Sequence, residues 1–180
     1  MMRASAYALA VLLVLMSSAA SAADSGVDAL IAAVKQGCLH SIESGTPITS
    51  FIKQQQGGLM PPAVATMFLQ GNQGTVYGIP HPDHHFAIAS THKGNACSVF
   101  VRRIDTAAAL PRMEALLLEA GYIHTEPPTQ KNGLTSTVFS KTAQAQRFQV
   151  IVSYSPSVGK AAFQWVTTVF NVGPGGDANP

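Results

Sequence analysis

A change of hydrophobic period inside one run, Ala96 to Gly121, constrains the fold of this chain more than any other feature of its sequence. Alternation comes first. Cys97, Val99 and Val101 fall on one face of an extended segment, with Phe100 and Ile104 on the other. The period then lengthens, and Leu110, Met113, Leu117 and Ala120 line one stripe of a helix. Asp105 or Thr106 can cap its first turn, and Gly121 stands where a helix C-terminus takes a left-handed residue. A strand handing over to an amphipathic helix predicts the frame of a small α+β domain.

The strand carries one of only two cysteines, Cys97; the other is Cys38. The compartment in which they mature decides how to read them. Met1 to Ala22 has the three parts of a secretory leader: Arg3, an apolar stretch up to Met16, and Ala20-Ser21-Ala22 as a small-residue cleavage site. The apolar core from Ala6 to Met16 is too short for the ~20 residues a spanning helix needs. No later stretch reaches that length, so the chain left after cleavage is expected to be soluble, in the periplasm or outside the cell. Oxidising conditions favour pairing Cys38 with Cys97. The bridge would close a loop of about 60 residues and stabilise by roughly 4 kcal/mol in the chain-entropy model. A reactive thiol is the alternative, but His40 lies two residues from Cys38, and positions two apart on a helix face different ways.

Residues 23–172 are one domain's worth of chain, with 173–180 expected as a disordered tail. Without the leader the charges nearly balance, because Arg3 is the only charged residue lost from 11 Lys+Arg against 9 Asp+Glu. That balance argues against a nucleic-acid binder, which normally shows a basic stripe.

Along the chain, Val27, Ile31, Val34, Cys38 and Ile42 share a helical face, so Cys38 belongs to a buried stripe. Thr46-Pro47 opens a short second helix with Ile48, Phe51 and Ile52 inward, and Gln54 to Gly58 ends it. Pro61-Pro62 opens a third, with Val64, Met67 and Phe68 inward as core. From Gly74 the pattern becomes extended. Strands are expected over Thr75 to Ile79, His85 to Ser90, the opening stretch, Leu134 to Ser140, Arg147 to Tyr154 and Ala161 to Val172. Turns are expected at 81–84, 91–95 and 156–159, and Glu126 to Gly133 as a polar loop. Short turns between neighbours imply antiparallel pairing. The expected architecture is a two-layer α+β fold with about six antiparallel strands, in the order helices-βββ-α-βββ. Helices cover one face of that sheet.

One cluster invites a chemical reading. His81, Asp83, His84 and His85 crowd a turn, with His92 one hairpin away, and could offer ligands to zinc or copper. The spacing matches no helical metalloprotease motif, and adjacent His84 and His85 diverge once a strand has begun. An exposed polar turn explains the same residues. No nucleophile elbow, P-loop or dinucleotide fingerprint occurs, and Glu114 and Glu119 sit on different sides of their helix. Arg102 and Arg103 diverge on a strand, leaving no single patch with Arg112. Trp165, Phe163 and Tyr154 read as core beside helices, while Gln164, Thr167 and Thr168 leave room for a half-exposed sheet face.

The sequence therefore favours an exported, non-enzymatic binding or accessory module for a protein, a peptide or an envelope component. An inhibitor of an exported enzyme is a special case of that reading. The alternative is a metal-binding protein or small metal-dependent enzyme centred on the His81–His85 turn.

Overall fold

The computed structural model describes residues 25–91, 95–156 and 163–174. The expected leader, His92, the turn at 157–159 and the tail beyond Pro174 lie outside the described residues. Helix α1 (Ser25–Ala32) runs without a break into a π-helical stretch, Ala33–Leu39, and resumes as α2 (His40–Ser44). In the wider stretch the His40 N–H donates to the Lys35 carbonyl, five residues back. That extra residue per turn rotates the face that follows it. Leu30 and Leu39 join Val27, Val34 and Cys38 in the core, while Ile31 and Ile42 stay half-buried, against the simple helical stripe. Gly45 stops α2 in the left-handed region at φ 72°, where an L side chain is strained. Helix α3 (Thr49–Gln54) buries Phe51 and Ile52 as the spacing predicted.

Among the described residues the sheet has eight strands, not six. They are β1 (Gly58–Leu59), β2 (Gly74–Ile79), β3 (His85–Thr91), β4 (Ala96–Arg102), β5 (Ile123–Lys131), β6 (Leu134–Ala143), β7 (Gln146–Tyr154) and β8 (Trp165–Gly173). Their order is β1-β2-β3-β4-β8-β7-β6-β5, and every neighbouring pair is antiparallel. The expected loop at 126–133 is mostly β5. Its two prolines, which cannot donate to a ladder, fall where the β5–β6 register shifts between Glu126 and Thr129. Asn132 and Gly133 then form the hairpin turn, both at positive φ.

Helix α5 (Thr106–Glu119) bears out the opening stretch. Asp105 Oδ1 accepts from the N–H groups of Ala107 and Ala108, and Gly121 is left-handed at φ 86°. The strand before it ends at Arg102, where the chain turns because Arg103 takes φ 63°. That turn carries Ile104 into the same core as Cys97, Val99 and Val101 rather than onto the face of Phe100. The main core lies between this face of the sheet and the helices: Val27, Leu30 and Val34 meet Ile88, Val99, Val101, Met113, Leu117, Val150 and Trp165. The disulfide Cys38–Cys97 joins the π-helical stretch to β4 through this core, with Cα atoms 5.3 Å apart.

Helices cover both faces, which corrects the one-sided expectation. Helix α4 (Pro62–Leu69) packs on the opposite side of β2 and β3, where Phe68 joins Val76, Ala87, Ala89 and Phe100 in a smaller core. The inward stripe is correspondingly different: Phe68 is buried, but Val64 and Met67 face solvent, Met67 at 61 % exposure. Phe163 also belongs to this side, with ring centroids 5.0 Å from Phe68 and 5.1 Å from Phe100, so it does not share a face with Trp165. Trp165 stacks on Tyr154 at 5.7 Å in the main core.

Candidate functional site

The histidine turn is partly assembled. His81 and His84 have ring centroids 4.7 Å apart and both lie against Phe86. His84 Nδ1 hydrogen-bonds to the Arg103 carbonyl, the residue whose positive φ ends β4. Its ring also packs so close to Gly26 that a Cβ there would overlap it. Those contacts stitch the turn to α1 and to the β4–α5 junction. His81 Nδ1 accepts from the Asp83 N–H at 3.3 Å, while the Asp83 side chain is exposed. His85 pairs with Arg102 across the β3–β4 ladder and sits on the pleat opposite to Phe86. Among the described residues, no group of three or more His, Cys, Asp or Glu could hold a metal ion.

A second charged group ties helix to sheet. Tyr122 is buried between α5 and β5, and its hydroxyl donates to Glu43 Oε1 at 2.7 Å. Lys141 on β6 donates to Glu43 Oε2 at 3.0 Å and lies over the Tyr122 ring at 5.3 Å. Burial, with the adjoining carboxylate, pushes the Tyr122 phenol well above its ordinary range. Arg112 is spent on Asp28 at 2.6 Å, joining α5 to α1, so it adds nothing to Arg102 and Arg103.

The expected half-exposed sheet face exists on the outer side, beyond α4, but its membership differs. Gln164 and Thr167 are buried on structural duty: Gln164 Oε1 accepts from Ile104 N–H at 2.9 Å, and Thr167 Oγ1 accepts from the Trp165 indole at 2.8 Å. Thr168 does face outward, hydrogen-bonded to Ser98 at 2.9 Å in the floor of a cleft of about 400 Å³ beside Phe68, Phe100 and Phe170.

The larger cleft, about 520 Å³, lies on the helix side, between the α2–α3 loop and the ends of β2, β3 and β7. The strands' pleat turns Thr75, Tyr77 and Ser90 toward it, on the same face as Ile88, and Thr75 and Ser90 are direct cross-strand partners. Gly45 and the Ser44–Thr46 hydroxyl contact at 2.8 Å shape the loop above. Gln144, Gln146 and Asn171 close one side, with Asn171 Nδ2 donating to Gln146 Oε1 at 2.9 Å. Among the described residues, twelve of the seventeen that line it carry a hydroxyl or a carboxamide, and Glu43 is the one carboxylate. That carboxylate is already engaged by Lys141 and Tyr122. None of these cleft residues stands out in the sequence, because they come from five separate segments and share no local spacing.

No protein-family model matches the chain, and no curated protein or solved structure is significantly similar to it. The fold defines the class: an α+β protein with one antiparallel sheet and one disulfide. Among the described residues, no helix is long and apolar enough to cross a membrane.

Proposed function

We propose that the protein is an exported, non-enzymatic binding module, periplasmic or secreted and soluble once its leader is removed. The polar cleft is where it holds a protein, peptide or envelope component. The composition of that cleft carries the reading. What the lining offers is hydrogen bonds in both directions, on strand faces held by the main core. Rigid placement of adaptable polar groups suits recognition.

The test is an NMR titration of the isotope-labelled protein with fractionated envelope extract. Shifts should cluster at Thr75, Ser90, Gln146 and Asn171. If no fraction moves these amides, the cleft is not a binding site.

A second reading, zinc or copper at the His81–His85 turn with His92, rests on the 4.7 Å approach of His81 and His84. Elemental analysis of protein purified without a histidine tag decides it. A metal content below about 0.2 per chain, against the full occupancy of a structural site, removes it.

A further inference from the structure

We infer that the outer face of the sheet is the interface of a two-fold dimer, its occupant a second copy of this chain. Helix α4 packs on β2 and β3, and beyond it the outer side of β8, β7, β6 and β5 is bare among the described residues. Val138, Ile151 and Phe170 lie on that side, because the pleat turns their neighbours Phe139, Val150 and Val169 into the main core. All three are half-buried, and none belongs to either core. A sheet face left to solvent normally alternates into polar side chains. Here the three central rows across β4, β8, β7 and β6 hold apolar and uncharged residues only. Charges on this side fall at the margins, on Arg102, Glu126 and Arg147. Strand register alone sets that composition. An uncharged centre inside a charged rim is the usual anatomy of a protein contact.

The polar groups and the shape of the face select what covers it. Ser98 pairs with Thr168 at 2.9 Å and Ser136 with Ser153 at 2.8 Å, so these hydroxyls are satisfied within the sheet and ask nothing of an occupant. Such a surface packs face to face on another sheet. Helix α4 stands as a layer about 10 Å thick over one half of the sheet, leaving a step. Stacked sheets also lie about 10 Å apart, so a second sheet laid on the bare strands stands level with α4. A two-fold axis along the strands closes both steps at once. It sets α4 of each copy, with its exposed Val64 and Met67, beside β5 of the other, with its exposed Ile123. A planar membrane would meet α4 before it reached the bare strands. Four strands at ~4.8 Å and about 30 Å of length give roughly 570 Å² in plan. Two copies together would cover about 1,100 Å², near the low end for a stable interface. The polar cleft lies on the opposite face of the sheet, so the pair presents two clefts pointing away from each other.

The test is sedimentation velocity on the leader-free protein over a concentration series. The mass should rise toward that of two copies, with a dissociation constant on the order of micromolar. Ile151→Lys would bury an unpaired charge at the centre of the contact and should weaken association by about a hundredfold or more. Gln54→Lys, exposed on α3, should leave it unchanged. Trp165 fluorescence shows whether each variant folds. Should Ile151→Lys not fold, amide shifts of the unaltered protein on dilution take its place, and they should be confined to outer residues such as Ser136, Ile151 and Thr168. A protein still monomeric at about 1 mM, roughly a thousandfold above the expected constant, overturns the inference. So does a dimer that Ile151→Lys leaves intact, or dilution shifts confined to the cleft side. A monomer that binds vesicles of phosphatidylethanolamine and phosphatidylglycerol, and loses them in Ile151→Lys, overturns it in favour of lipid.

Discussion

Removing the Cys38–Cys97 bridge tests the frame on which the cleft is hung. The two residues are 59 apart in sequence, and both are buried in the main core. Opening a loop of about 60 residues returns roughly 14 cal/mol/K of entropy to the unfolded chain, or about 4 kcal/mol at 25 °C. The double variant Cys38→Ala/Cys97→Ala also deletes two sulfur atoms from packed sites, adding about 0.5–1.5 kcal/mol each. Reduction of the unaltered protein isolates the cross-link, because both sulfurs remain in place. Urea unfolding followed by Trp165 fluorescence should then show two changes. Stability drops by about 4 kcal/mol on reduction and somewhat more in the double variant, equivalent to a Tm lower by roughly 8–16 °C for a domain of this size. The urea slope m rises, because an uncrosslinked unfolded chain exposes more surface. A loss under about 1 kcal/mol would refute the reasoning. So would a full loss with unchanged m, which would place the bridge's effect in the native state.

Three further outcomes follow from named contacts. Tyr122 keeps its proton when folded but loses it near pH 10 when unfolded, so above that pH stability falls by about 1.4 kcal/mol per unit from this group alone. Urea midpoints at about pH 9 and 11 should converge in slope for Tyr122→Phe, and an unchanged slope contradicts the assignment. Thr167→Val strands the buried Trp165 indole N–H and should cost about 1–3 kcal/mol, whereas Thr167→Ser keeps the acceptor and costs less; equal losses would show that the hydrogen bond is not the cause. Asp105→Ala removes the acceptor for two N–H groups of α5 and should cost about 1 kcal/mol, with Asp105→Asn close to neutral in the same thermal melt.

Where local chemistry decided the structure, the sequence was readable. The period switch at 96–121, its cap at Asp105, its stop at Gly121 and the pairing of Cys38 with Cys97 all depend on neighbours in sequence or on two unique residues. Spacing misleads where tertiary placement overrides it. Val64, Met67 and Phe68 look alike on a helical wheel, but only the side of α4 that meets β2 and β3 decides which is core. Pro127-Pro128 reads as a loop unless a bulge is there to absorb the missing donors, and the Asn132-Gly133 hairpin signal gains its meaning only once β5 pairs with β6. The one-residue excess of the π-helical stretch is equally invisible to an α-helical period. Of the metal candidates, the structure brings His81 to His84 and turns His85 away. The cleft is illegible in the sequence for a different reason: Thr75 and Ser90 meet Gln146 and Asn171 only after strands far apart in sequence have joined one sheet.

Strand β8 is the last of the eight in chain order, yet it occupies the middle of the sheet, between β4 and β7. In folding, this order has a consequence. Without β8 nothing joins β1–β4 to β5–β7, and β4 and β7 each keep an open edge. Such edges invite pairing with other chains. The polar cleft and the Trp165 core both wait on this closing strand, since Asn171 and Trp165 belong to it. The sheet is therefore completed by its C-terminal strand. A circular permutant that begins at β8 should shorten that exposed interval.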